Sequence, residues 1–158
     1  MDNISNIVLT VMFSAIAVWL FWGYSKTRDM IFKDELWTPS RILFLAAGIL
    51  CMLSAFVFSS MLDWIRLTAM GLCVIAFILM RDGVGEDAFA VSGRRYPYDQ
   101  VRAYDYGDYK KQFRVYFVPE GRSNDEAIAV NLRKQDKEEI IKFLKGRMGK
   151  KYTRMRKG

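Results

Sequence analysis

The chain opens with an apolar run from Ile4 to Trp22 that contains no charged side chain. A bilayer crossing takes about twenty mostly apolar residues to cover roughly 30 Å of hydrocarbon. Ala15-Ile16-Ala17 imitates a secretory cleavage site. The run continues straight through it, and the short N-terminal flank has Asp2 but no lysine or arginine, so a retained helix is predicted. Trp19, Trp22 and Tyr24 at its far end match an aromatic belt at headgroup level. Two further apolar runs extend from Ile42 to about Ser60 and from about Leu62 to Met80. Thr38-Pro39 marks a helix start before the first, as cap and first-turn proline. Asp63 and Arg66 lie near the first turn of the second, within reach of the interface. The polar break between these runs is short, which predicts a tight antiparallel hairpin. Three transmembrane helices are therefore expected, over 4–22, 42–60 and 62–80.

Past Met80 the period changes. Gly83 and Gly85 read as a flexible exit from the membrane, and Gly-Val-Gly alone lacks the lysine and preceding strand of a phosphate loop. Ala88 to Val91 reads as a short strand, Ser92-Gly93 as a turn, and Arg95 to Tyr98 as the strand after it. Alternation of period two then runs through Val101, Ala103 and Asp105, through Phe113, Val115 and Phe117, and through Ile128, Val130 and Leu132. Pro119 to Glu126 is the loop between the last two strands. A helical pattern returns with Asp136 as cap and Glu139 three residues on, in a capping-box arrangement. Ile140, Leu144 and Met148 share one face, with Phe143 beside them, and should close one side of the sheet. The expected fold is an α+β membrane protein. Residues 1–82 form a three-span domain, 83–148 an antiparallel sheet of four or five strands closed by a helix, and 149–158 a basic tail.

Charge separates the same two regions. Residues 1–80 hold five basic and five acidic side chains, whereas residues 81–158 hold nineteen and twelve and so carry the whole net charge of +7. The loop between the first two runs has Lys26, Arg28, Lys33 and Arg41, and Arg81 follows the third run, while the opposite side has only Arg66. By the positive-inside rule the N-terminus faces outside and the loop and C-terminal domain face the cytoplasm. In that loop Met30, Ile31, Phe32, Leu36 and Trp37 alternate with Arg28, Lys33 and Asp34. An interfacial amphipathic helix and a segment packed on the C-terminal domain fit this pattern equally.

Gly93-Arg94-Arg95-Tyr96-Pro97-Tyr98-Asp99-Gln100-Val101, with the later strands and the helix from Asp136 to Met148, resembles the pattern of bacterial pleckstrin-homology-like domains. Several bacterial membrane families join two or three N-terminal spans to such a domain. The resemblance implies a binding or scaffolding module in the inner (cytoplasmic) membrane, on a fold that usually has seven strands. It carries over no catalytic residue.

The chain has no histidine, which removes the usual neutral-pH general base and the commonest metal ligand. No nucleophile-base pair is evident, so neither catalysis nor a metal or cofactor is expected. Cys51 and Cys73 lie in apolar runs and read as packing residues. Asp99, Asp105 and Asp108 are interspersed with arginine and lysine, so ordinary ion pairs explain them better than acid-base chemistry. Tyr96, Tyr98, Tyr104, Tyr106, Tyr109 and Tyr116, interleaved with basic residues, suggest a nucleic-acid stacking surface. An amphipathic sheet explains them better.

From Lys142 onward there are eight basic residues and no acidic one. A tethered cytoplasmic polybasic segment gains about 1 kcal/mol per charge near an anionic leaflet. Arg94, Arg95, Lys145, Arg147, Lys150, Lys151, Arg154, Arg156 and Lys157 are therefore candidate contacts for anionic lipid. A topology and solubility signal is the other reading of the same charges. Along the second run Ala47, Cys51, Ala55 and Ser59 recur every four residues, which permits close helix approach. The stripe fits packing within the chain. It also fits docking on another membrane protein or a second copy, as in an accessory subunit of a transporter or envelope-assembly machine.

Overall fold

The computed structural model describes residues 3–57 and 60–155. The first apolar run forms α1 (Asn3–Thr27), and the third forms α3 (Met61–Leu79). Both are long and apolar enough to cross a membrane. The second run forms α2 (Pro39–Ser54) and tightens to a 3-10 turn over Ala55–Val57. Its α-helical part is thus shorter than the expected 42–60, and its 16 residues rise about 24 Å. The predicted start holds. Pro39 opens the helix, and Thr38 accepts from the Arg41 N–H at its side-chain oxygen (3.4 Å) and from the Ile42 N–H at its carbonyl (3.0 Å). Ser59 lies outside the described residues.

Contacts divide the chain into two units. A helical unit joins the residues up to Ser25 with Leu36–Met80, and a sheet unit joins Lys26–Glu35 with the residues from Arg81 onward. Within the helical unit, α2 and α3 cross closely at two glycines. A Cβ on Gly48 would lie 2.8 Å from Val74 Cγ1, and one on Gly71 would lie 3.0 Å from Met52 Cγ. The paired positions run in opposite directions, so the hairpin is antiparallel, as predicted. Arg66 donates to Asn6 Oδ1 at 2.7 Å, and the Cys73 thiol to the Phe13 carbonyl at 3.3 Å. Both pairs are 60 residues apart, so α1 and α3 run parallel. Asp63 pairs with Arg66 at 2.7 Å, with both side chains largely covered.

The sheet unit holds two antiparallel sheets. One has the order β1 (Phe32–Lys33), β2 (Gly83–Val84), β3 (Ala88–Val91) and β4 (Arg94–Pro97). The other has the order β5 (Val101–Tyr109), β6 (Gln112–Pro119) and β7 (Ile128–Arg133). The helix α4 (Lys137–Met148) follows. Among the described residues seven strands replace the four or five expected. The additions are β1 and β2, each two residues long, which pair Phe32 with Val84 and Lys33 with Gly83. The loop between the first two apolar runs is therefore a sheet edge and not an interfacial helix, and Met30 within it is buried.

This pairing also overturns the flexible exit at Gly83 and Gly85. Both are buried, and a Cβ on Gly83 would stand 2.5 Å from the Phe32 carbonyl oxygen. Those glycines permit close approach of the loop. The Ser92-Gly93 turn forms as predicted, with φ of 51° and 76°, as tight hairpins require. The strand after it runs Arg94–Pro97, one residue earlier than expected, because Tyr98 begins a 3-10 turn.

Phe89, Tyr104, Phe113, Phe117, Leu132, Ile140 and Leu144 form the buried centre of this unit. Phe89 stacks on Phe117 with ring centroids 4.1 Å apart. The predicted apolar face of α4 is the one that closes the core. Asp136 makes no capping-box bond. A 3-10 turn over Lys134–Asp136 precedes α4, and the Asp136 carboxylate pairs with Arg133 at 3.1 Å.

Candidate lipid-facing site

The candidate site is built by α4 and the residues after it, which rest on the sheet that the aromatic core holds in place. Residues 149–155 do not extend away from the sheet unit. Gly149–Lys151 make a 3-10 turn, and the Lys151 ammonium donates to the Tyr98 carbonyl at 2.9 Å. Tyr152 packs against Tyr104 and Tyr106, with centroids 5.6 and 5.2 Å away. The Thr153 N–H donates to the Tyr104 carbonyl at 3.0 Å, and the Met155 N–H to the buried Asp105 carboxylate at 2.9 Å. The chain after α4 is thus strapped along the outer edge of β5. Arg156 and Lys157 lie outside the described residues.

The nine basic candidates divide by partner. Arg95 pairs with Asp87 at 2.6 Å and Arg147 with Glu86 at 2.5 Å. With Lys151 they gather around the β2–β3 turn and the end of β4, where carboxylates and carbonyls absorb their charge. Arg94, Lys145, Lys150 and Arg154 are exposed and have no ionic or hydrogen-bond partner among the described residues. Lys142, one turn before Lys145 on α4, is likewise exposed and unpaired. In the helical unit, Ala47 is exposed and Cys51 half-buried. The close α2–α3 contact is made by Gly48, one position over, and both cysteines are free thiols. Ala55 lies in the 3-10 turn that ends α2.

The tyrosines serve mainly the core. Tyr98 and Tyr104 are buried, and Tyr96 stacks on Phe89 with centroids 5.0 Å apart. The Tyr98 hydroxyl donates to the Gly85 carbonyl at 2.9 Å. Burial raises its pKa well above the ordinary tyrosine range. The Asp87 charge adds to this rise and the Arg147 charge opposes it. Burial raises that of Tyr104 too, reinforced by Tyr106 and Tyr152. Tyr109 is more exposed and lies under the Arg114 guanidinium, 3.8 Å from its ring centroid.

Asp108 pairs with Lys137 at 2.7 Å, while Asp105 is held by the Tyr106 and Met155 amides. Two of the three acidic candidates are therefore committed to structure. No group of three histidine, cysteine or carboxylate side chains could hold a metal ion among the described residues.

A second feature was not read from the sequence. Phe32 of β1 meets Phe143 of α4 edge-to-face, with centroids 5.6 Å apart. Together with Glu139, Lys142, Gly146 and Arg147 they line an open groove of 620 Å³. The signal available was the apolar-polar alternation around Phe32, which gives no partner. No family model, curated protein or solved structure matches the chain.

Proposed function

We propose that this is a non-enzymatic integral protein of a bacterial cytoplasmic membrane, whose sheet unit is a pleckstrin-homology-like module that binds anionic headgroups at the inner leaflet. The observation that carries the reading is that Lys142, Lys145, Lys150 and Arg154, on and just after α4, are exposed and unpartnered among the described residues, in a unit that carries the chain's whole net charge. Four exposed ammonium or guanidinium groups without counter-ions suit an anionic leaflet. The module reading draws support from the four-stranded and three-stranded antiparallel sheets and the C-terminal helix that follows them.

Three crossings draw support from the α2–α3 hairpin and the parallel α1 and α3. With its 3-10 extension at about 2 Å per residue, α2 reaches about 30 Å, as much as a bilayer core. Three crossings put the N-terminus outside and Lys26, Arg28, Lys33, Arg41 and Arg81 with the sheet unit inside.

The test uses the full chain in nanodiscs with and without phosphatidylglycerol, and follows tryptic cleavage after Lys142, Lys145, Lys150 and Arg154. At about 1 kcal/mol per charge, cleavage at these sites should slow at least tenfold in the anionic discs. Equal rates in both discs would reject the reading. Deleting residues 149–158 is a poor substitute, because it also removes the Tyr152 and Thr153 contacts with β5.

A further inference from the structure

We infer that the groove between β1 and α4 seats one anionic phospholipid, with its phosphate on Lys142 and Arg147 and its glycerol and upper chain carbons on the Phe32 and Phe143 rings. The inference rests on the headgroup-binding reading above and names its specific seat.

Four observations carry it. First, the 620 Å³ groove lies within the size range of small-molecule sites. Second, its lining is amphiphilic in the way a phospholipid is. Two aromatic rings that meet edge-to-face and two cations line it together. Lys142 has no counter-ion among the described residues, so a phosphate there would complete its pairing. Arg147 lies 5.9 Å from the Phe143 ring centroid; Glu86 offsets its charge, and its remaining guanidinium N–H groups add donors beside the same ring. Glu139, the one carboxylate in the lining, can accept from a headgroup hydroxyl such as those of glycerol.

Third, Gly146 stands inside α4, where glycine is a poor helix former. A Cβ at this position would meet nothing within 4 Å. Packing within the chain therefore gives no reason for the missing side chain, whereas the groove does, because Gly146 is one of the residues that line it. Fourth, Phe32 comes five residues after Thr27, the end of α1, and its register partner Val84 comes five residues after Leu79, the end of α3. In a membrane, a residue that near the end of a span is within chain reach of the headgroups. A lipid of the same membrane is therefore the occupant to which the groove commits.

The test is native mass spectrometry of the full chain, released from mixed phosphatidylglycerol and phosphatidylcholine nanodiscs. One phosphatidylglycerol adduct should stay with the wild-type chain. Gly146→Leu should lose it without lowering the melting temperature of the sheet unit, since leucine suits a helix better than glycine and its Cβ enters open space. Lys142→Gln should weaken retention about tenfold, as expected for a hydrogen bond to a charged group. Equal retention in wild type and Gly146→Leu would overturn the groove. The headgroup reading would still stand if tryptic cleavage remained slowed in anionic discs, and both would fall if that protection were absent too. Equal retention of phosphatidylcholine would overturn the anionic assignment. Displacement of the adduct by millimolar inorganic phosphate would show a soluble-phosphate site and overturn the lipid.

Discussion

The two units hold their apolar side chains in opposite places. In the sheet unit Phe89, Phe113 and Phe117 are fully buried. In the helical unit Ile4, Val18, Leu43, Phe56 and Val57 are all more than two-thirds exposed. The same residue types thus form a core in one unit and a coat in the other. Exposed apolar faces of this extent call for a solvent other than water, which fits helices long and apolar enough to cross a membrane. Aromatic chemistry divides as well. All four tryptophans, Trp19, Trp22, Trp37 and Trp64, belong to the helical unit, and seven of the eight tyrosines belong to the sheet unit. Tryptophan fluorescence therefore reports on one unit and tyrosine near-ultraviolet circular dichroism chiefly on the other.

The largest expected effect tests this inversion directly. Phe117→Ala empties a site stacked against Phe89 and should destabilise the sheet unit by about 3–5 kcal/mol. Leu43→Ala, at a position 71% exposed, should leave the helical unit within about 0.5 kcal/mol of wild type in lipid. Urea titration in nanodiscs, read through tyrosine for the first and tryptophan for the second, checks the pair. A comparable loss at Leu43 would mean that this face packs on something.

Next in size are the interior contacts of the helical unit. Removing one partner of the largely covered Asp63–Arg66 pair, as in Asp63→Asn, should cost about 3 kcal/mol, because it strands the other charge. Replacing both with leucine should cost less than either single change, which a double-mutant cycle on the tryptophan signal would resolve. Gly48→Leu, forced against Val74, should cost about 1–3 kcal/mol, while Ala47→Leu, on the exposed side, should be near neutral in the isolated chain.

These contrasts show where the sequence was readable. Period-two alternation and the Ser92-Gly93 turn located five of the seven strands, and the apolar positions of α4 gave its buried face, because these signals are local. Phe32–Lys33 and Gly83–Val84 are too short to show a period. Their pairing joins residues 52 and 50 positions apart, and nothing around Phe32 announces Val84. Of the small-residue stripe Ala47 is exposed and Cys51 half-buried, and Gly48, one position from Ala47, is what lets α3 approach. The basic run after Lys142 was visible as charge. That Tyr152, Thr153 and Met155 strap it to β5 was not, since one tyrosine among lysines has no periodicity. Among the candidate site residues, sequence gave the cations but not which of them Glu86 and Asp87 neutralise.

A smaller effect separates two buried tyrosines. The Tyr98 hydroxyl bonds the Gly85 carbonyl, whereas the Tyr104 hydroxyl is buried without a partner among the described residues. Tyr98→Phe should cost about 1 kcal/mol at neutral pH, and Tyr104→Phe should be neutral or stabilising. Alkali adds a second readout. Both groups have pKa values raised by folding, so below the ordinary tyrosine value of about 10 their neutral forms contribute in full. As the pH climbs past it, the unfolded chain gives up protons that the folded chain keeps, and stability must fall. Melting of the sheet unit followed from pH 8 to 11, both values being about those of the useful window, should show this decline, and Tyr98→Phe should flatten it.

The smallest effect turns on a single methyl group. Gly146 sits within α4 with open space where a Cβ would be. Alanine there should stabilise the sheet unit by roughly 0.5–1 kcal/mol, because glycine surrenders more backbone freedom on folding. If the tyrosine-monitored midpoint rises in Gly146→Ala, the glycine is a stability cost that the fold itself does not require, and the groove it keeps open is the reason that remains. If the midpoint falls, the neighbouring chain uses that space in the folded state, and the groove is narrower in solution than its lining suggests.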